Sequence, residues 1–299
     1  MIIYRRSNTA YTQDTPTTLL FHAELEDTHA HDKNDGDEES DPTLYSTFLA
    51  SRPPSLETNA IERIISLQKQ HASSSLRCHI VHLSASEAIP AIKAAQAAMR
   101  TKDGEPRLTA ETCFHYLTLS ANTIPDANAA YKCCPPIRTN SNRDQLWEAL
   151  LDGTINCVVS DHSPCTIDLK RPQDGDLMRA WGGISGLGLG LSLLWTEGKL
   201  KRGVSAGKLV WWISGAAAKH VGLDHRKGSI KVGLDADLAV FDPTQEFDVT
   251  EDVLEFKNKK SAYEGVRLTG RVVRTFVRGR CIWDLGKGGK QGEPIGVFL

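Results

Sequence analysis

The sequence has little charge of one sign, no paired cysteines and no long apolar run. Its 35 Lys and Arg stand against 37 Asp and Glu. No broad basic field exists to gather nucleic acid or anionic lipid, so a small-molecule partner is the default expectation, with no nucleic acid and no membrane. No run approaches the roughly 20 apolar residues of a bilayer crossing, and residues 1–6 lack the apolar stretch of a secretory signal. The seven cysteines are odd in number and form no Cys-x-x-Cys pair. That argues against a zinc ribbon or redox couple and for a reducing compartment, so a cytoplasmic protein is expected. The C-terminal segment Gly296-Val297-Phe298-Leu299 is not a peroxisomal address.

What is present is a chain of 299 residues, 40% apolar and 24% charged, long enough to bury a substantial core. Residues 17–23 (TTLLFHA) form a β-compatible run. Residues 24–43 read as an acidic loop insert, because nine acidic residues and one Lys crowd positions 24–41 and cannot bury themselves. From 56 to 70, Ala60, Ile61, Ile64, Ile65 and Leu67 recur at helical spacing. A buried strand at 78–83, an Ala-rich helix at 86–99, strands at 108–114 and 131–134, a helix at 143–151 and a strand at 155–160 follow. Strand and helix alternating in this way predict parallel βαβ units.

A Gly-rich segment at 181–195 and a helix at 206–221 come next. After residue 222 the character changes. Short β-type runs at Ile230, 238–241 and 272–277, broken by turn residues, predict a small antiparallel sheet. A domain change is expected near residue 226, separating 1–226 from 227–299.

Three polar residues stand at or just beyond the ends of predicted buried strands: His82 in HIVHLS, His115 in AETCFHYL and Asp161 in VVSDHSP. Such positions face the mouth of a βα barrel. Imidazoles and a carboxylate converging there suit a divalent transition metal, zinc first, which activates water and polarises a carbonyl, with Asp161 as general base. Against this stands the plain reading that a His in an apolar strand is a hydrogen-bonded core residue. His22 and Glu24 end a strand and either line the same mouth or serve packing. The His29/His31 pair lies in the acidic insert and reads as solvated, and His162 stands behind Asp161. Cys133-Cys134-Pro135-Pro136 reads as a rigid turn beside the mouth or as a structural turn. Gly182, Gly183 and Gly186 lack the spacing of a dinucleotide fingerprint and read as a close-approach loop.

At these residues the sequence resembles the cyclic amidohydrolases. The matching stretches are HIVHLS (79–84), AETCFHYL (110–117), KCCPPIR (132–138), VVSDHSPC (158–165), WGGISGL (181–187), KGSIKVGLDADLAVFDP (227–243) and YEGVRLTGRVVRTFVRG (263–279). The resemblance implies a metal-dependent TIM barrel with a small β-sandwich, and hydrolysis of the ring amide of a cyclic ureide, allantoin, to allantoate in purine degradation. It implies His82, His115 and Asp161 as metal ligands, with Asp161 also the base, and Cys134 and Gly182 at the substrate. It further implies two zinc ions per chain, with cobalt a substitute, and a homo-oligomer.

Family members also carry a first strand ending in His-x-His and a carbamylated bridging lysine. Here no lysine precedes Lys33 and five barrel strands are counted where eight close a barrel. The fold expected is therefore α/β: a partial TIM barrel lacking its first strands, followed by a C-terminal β-sandwich remnant, with impaired activity. A catalytically inactive remnant is the alternative, as is a hydrolase of dihydropyrimidinase, hydantoinase or dihydroorotase type. A third reading takes the acidic insert as a cation-binding tail.

Overall fold

The computed structural model describes residues 18–25, 40–71 and 76–297. Most of the acidic insert, with His29, His31 and Lys33, lies outside them. The chain divides into two compact units, residues 1–185 and 186–299. The change in character near residue 226 therefore falls inside the second unit, where helices give way to strands.

The first unit is built on a parallel sheet. Strand β1 (Thr18–Phe21) is followed by helices α1 (Tyr45–Ala50) and α2 (Ser55–Gln70). The pair Pro53-Pro54 ends the preceding chain and starts α2, whose Ala60, Ile61, Ile64 and Ile65 turn inward at the expected helical spacing. Strand β2 (Arg77–Ile80) leads through a 3₁₀ turn at Ser86–Ala88 into α3 (Ile89–Ala98). Strand β3 (Leu108–Cys113) runs directly into the short helix α4 (Phe114–Thr118).

Helix α5 (Asn140–Asp152) opens with the Thr139 side chain accepting the Asn142 amide and closes on Gly153 at φ +88°, a left-handed cap that costs a glycine little. Trp147 of α5 donates its indole N–H to the Leu117 carbonyl at 2.9 Å, fixing α5 over α4. Strand β4 (Cys157–Val159) completes the sheet in the order β1-β2-β3-β4, every pairing parallel. Four parallel strands are therefore described where five were expected. Residues 131–134 do not form the predicted strand: a 3₁₀ turn occupies Ala129–Tyr131, and the following chain passes a cis Cys134-Pro135 bond instead of joining a ladder. All seven cysteines are free thiols.

The second unit begins with α6 (Gly190–Leu194), which continues as a π-helical turn at Trp195–Leu200. The Gly-rich segment thus turns helical halfway along its length. Helix α7 (Ala206–Val210), a second π-helical turn and α8 (Ala216–His220) follow.

Strands β5 (Leu238–Asp248), β6 (Arg267–Val277), β7 (Arg280–Asp284) and β8 (Gly289–Lys290) form the antiparallel sheet. Val277 pairs with Arg280, so only Arg278 and Gly279 make the turn between β6 and β7. Their φ values of +48° and +78° match the type I′ geometry that suits strand twist. Ile230, expected in a strand, lies in irregular chain and is 90% exposed, since nothing pairs it into the ladder. Among the described residues, no helix is long and apolar enough to cross a membrane.

Gly270 sits in β6 at φ +87°, and a methyl group there would come within 2.3 Å of the Phe241 ring and 2.8 Å of the Trp195 ring. Gly270→Ala is expected to lower unfolding free energy by about 1–3 kcal/mol through overpacking, read as a lower midpoint in chemical denaturation. An unchanged midpoint would refute the close approach.

Candidate active site

The parallel register decides where the polar residues emerge. Phe21 pairs with Ile80, Ile80 with Ala110, and Cys113 with Val159. The residues just past the four strands, His22, His82, His115 and Asp161, therefore leave the sheet along the same edge, the carboxyl edge where sheets of this kind place their chemistry. His82 and Asp161 both take φ +42°, a left-handed conformation that side chains with a Cβ seldom adopt. Backbone strain of this kind persists only where the surroundings hold it.

The structure brings His22 and His82 into direct contact: His22 Nδ1 faces His82 Nε2 at 2.8 Å, with the rings edge to face at 4.6 Å between centroids. The other nitrogen of His22 lies 3.0 Å from Glu24 Oε2, which also accepts Arg52 Nη1 at 2.7 Å. A carboxylate only accepts, so His22 donates from Nε2 to Glu24. His82 Nδ1 is buried and finds no hydrogen-bond partner on another described residue. His115 lies one residue into α4, 2% exposed, with Nε2 buried and likewise without a partner.

Burial is the dominant electrostatic force here. It pushes His82 down to about 4, helped by neighbouring His22, and His115 down to about 3, helped by His82. Both imidazoles are neutral at pH 7. Burial also pushes the Asp161 carboxyl up, and Glu111 adds to this while His22 opposes it. By exposed area Asp161 still opens to solvent, so it combines raised basicity with access to water. Glu24 goes the other way: burial works to raise its carboxyl, but the His22 hydrogen bond and Arg52 outweigh it and hold the group low.

Two loops border this edge. Lys132 donates to the carbonyls of Met178 at 2.9 Å and Ala180 at 2.7 Å, while Lys170 donates to Lys132 O at 3.2 Å, Trp181 O at 3.0 Å and Gly183 O. The KCCPP and WGG segments are thereby stapled together. Cys134 and Gly182, read from the sequence as substrate contacts, meet at this staple: a Cβ on Gly182 would lie 2.9 Å from Cys134 Sγ, so a larger residue there would displace the thiol. A cavity of about 250 Å³ opens beside it, bordered by Phe48, Arg52, Leu56, Lys132, Cys134 and Met178. His162 contributes its backbone, bridging to Ile184.

Among the described residues, no three His, Cys, Asp or Glu side chains close into a metal-binding group. The imidazoles do fit a cation in chemistry: the facing nitrogens of His22 and His82 lie 2.8 Å apart, and the buried Nδ1 of His82 and Nε2 of His115 have no hydrogen-bond partner among the described residues. Sequence reasoning left His22 undecided between lining the mouth and packing. The signal was present in its position, one residue past a strand that pairs with the His82 strand.

Parallel βα units with imidazoles and a carboxylate on the carboxyl edge are the arrangement of the amidohydrolase class. The chain belongs to the Amidohydrolase family, whose model matches residues 39–282, and its fold is of the TIM-barrel α/β type with a separate antiparallel sheet. The family is generally metal-dependent. Among its relatives is the allantoinase of Saccharomyces cerevisiae, 44% identical over 283 residues, covering 95% of this chain and 58% of that protein. The allantoinase of Streptomyces avermitilis is 46% identical over 255 residues, covering 85% and 54%. Among solved structures, the L-hydantoinase (dihydropyrimidinase) of Arthrobacter aurescens is 27% identical with a TM-score of 0.75, covering 89% of this chain and 57% of that one. The chain spans about half the length of the curated relatives it matches.

The depressed His82 and His115 predict a pH dependence of stability in metal-free protein. Unfolding returns both to an ordinary value near 6.5, so the unfolded chain binds more protons between pH 6.5 and about 3. Stability is present above pH 6.5 and is lost as pH falls through that window. Calorimetry should show a melting temperature that declines from pH 6.5 to pH 4, and less steeply in His115→Gln. A flat profile would contradict the burial of neutral imidazoles.

Proposed function

We propose that this chain carries the ring-opening site of an allantoinase: hydrolysis of the cyclic amide of allantoin to allantoate, in purine breakdown. The observation that supports it most is the facing pair His22 and His82 beside a carboxylate of raised basicity, at the carboxyl edge of the parallel sheet. Identities of 41–46% to curated allantoinases support the choice of substrate. His22 joins His82, His115 and Asp161 as candidate metal donors, with zinc the proposed ion and cobalt its substitute. When bound, such an ion polarises the ring carbonyl and makes water more acidic.

The chain's own groups do the rest. Glu24, itself held by Arg52, fixes the His22 ring. Asp161, open to solvent and more basic than an ordinary carboxylate, takes the proton of the attacking water at its carboxylate oxygen. It returns that proton to the ring nitrogen as the carbon–nitrogen bond breaks. The Cys134 and Gly182 loops, stapled by Lys132 and Lys170, offer fixed backbone groups to the ring. In this proposal the four described parallel strands are a part of the family's eight-strand barrel, residues 227–299 are a β-sandwich segment, and the protein works as a cytoplasmic homo-oligomer.

Asp161→Asn is expected to lower kcat for allantoin about 10²–10⁴-fold with KM little changed, and His82→Ala to abolish turnover, both measured as allantoate release with added zinc or cobalt. Preference for hydantoin or dihydrouracil over allantoin would move the assignment to the hydantoinase type, a reading the solved-structure similarity favours. Absence of turnover in wild type, together with one weakly held metal per chain or none, would favour a non-catalytic remnant.

A further inference from the structure

Two buried charged residues have no part in the chemistry above. Glu57 of α2 is 2% exposed and Arg138, which follows the Cys-Pro-Pro turn, is 6% exposed. Glu57 Oε2 accepts the backbone N–H groups of Ser84 at 2.9 Å and Ala85 at 3.0 Å, and its Oε1 accepts Arg138 Nη2 at 2.8 Å. Arg138 Nη1 donates in turn to the Arg52 carbonyl at 3.2 Å. Arg52 holds Glu24, Glu24 holds His22, and His22 faces His82. Ser84 stands two residues beyond His82. The circuit is therefore closed: it leaves the imidazole pair through His22 and returns to it through the backbone after His82.

Asn142 braces the return limb, accepting the Ser86 N–H at 2.8 Å and donating to Ser84 O at 2.9 Å. This limb begins at His82, whose φ of +42° needs surroundings to hold it.

A buried ion pair is poor evidence for stability, because apolar side chains of similar volume often do as well. What an apolar pair could not supply is the set of directed bonds that ties the two histidine-bearing segments together. The Arg138 guanidinium is the one group in the circuit whose planar fork spans both limbs, with one arm on the Arg52 backbone and the other on Glu57.

We propose that Glu57 and Arg138 are positioning residues that act through this circuit to set the separation and ring orientation of His22 and His82. The proposal rests on the functional reading only for the use made of the pair; the pair's geometry can be measured without turnover.

The test uses metal-free full chain labelled with ¹⁵N at histidine, with ring-nitrogen resonances followed by NMR and the overall fold by backbone amide spectra. Wild type is expected to show one narrow set of ring-nitrogen resonances for His22 and His82, as rings held in one place give. Glu57→Gln, which removes the charge but keeps the shape, is expected to leave the fold intact yet shift and broaden the His22 and His82 ring-nitrogen resonances, although Glu57 touches neither ring. Arg138→Lys keeps the charge and loses the fork, so it should move the same resonances in the same direction by less. Lys93→Gln, which breaks an exposed pair with Asp152, should leave them in place. Unmoved His22 and His82 signals in folded Glu57→Gln and Arg138→Lys would overturn the proposal. So would failure of both variants to fold, which would make the pair merely structural. Resonances that shift in the two variants while the wild type fails to open allantoin would sink the functional reading and leave this one standing.

Discussion

The parallel ladder of β1 to β4 is the constraint on which the site depends. Its backbone hydrogen bonds set one register across four strands that are distant in sequence, and that register alone makes four strand ends coincide along one edge. Nothing in the local chemistry of His22 calls for His82, yet once Phe21 is paired with Ile80 the two imidazoles have little choice but to meet. The buried apolar faces of the strands lock the register, because a one-residue slip would turn Cys78, Ile80, Leu108 and Ala110 away from the core.

Burial then assigns the charge states. The same desolvation that keeps two imidazoles neutral makes the Asp161 carboxylate more basic, so acid and base groups are driven in opposite directions by one cause. Where a charge has to be kept within the fold, it is paired: Glu24 by Arg52, Glu57 by Arg138. Lys132 and Lys170 spend their ammonium groups on backbone carbonyls, tying together loops that have no regular structure of their own.

Much of this was legible in the residues. Helical spacing located α2, strand–helix alternation placed α3 and α5, and compact apolar runs located β1 to β4; turn residues marked the end of β6, while β7 went unread. The run at 131–134 misled because a short apolar stretch looks alike whether it joins a ladder or packs as a turn, and Pro135-Pro136 allows no further ladder donors. Ile230 misled for a related reason, since β-propensity describes a residue and not the neighbour it needs. The helix at Gly190–Leu194 was hidden by its glycines, which are poor helix formers held in place by packing.

The sequence by itself determined the class of chain: parallel βα units followed by an antiparallel sheet, neutral overall, with His82, His115 and Asp161 at strand ends. Only the tertiary structure decided which of these side chains touch. It put His22 rather than His115 against His82, packed Cys134 on Gly182, and closed the circuit through Glu57 and Arg138. Periodicity and motif act over a few residues along the chain. Contacts between residues 60 or 81 positions apart are set by sheet register and by the need to satisfy every buried charge, and those exist only once the chain has folded.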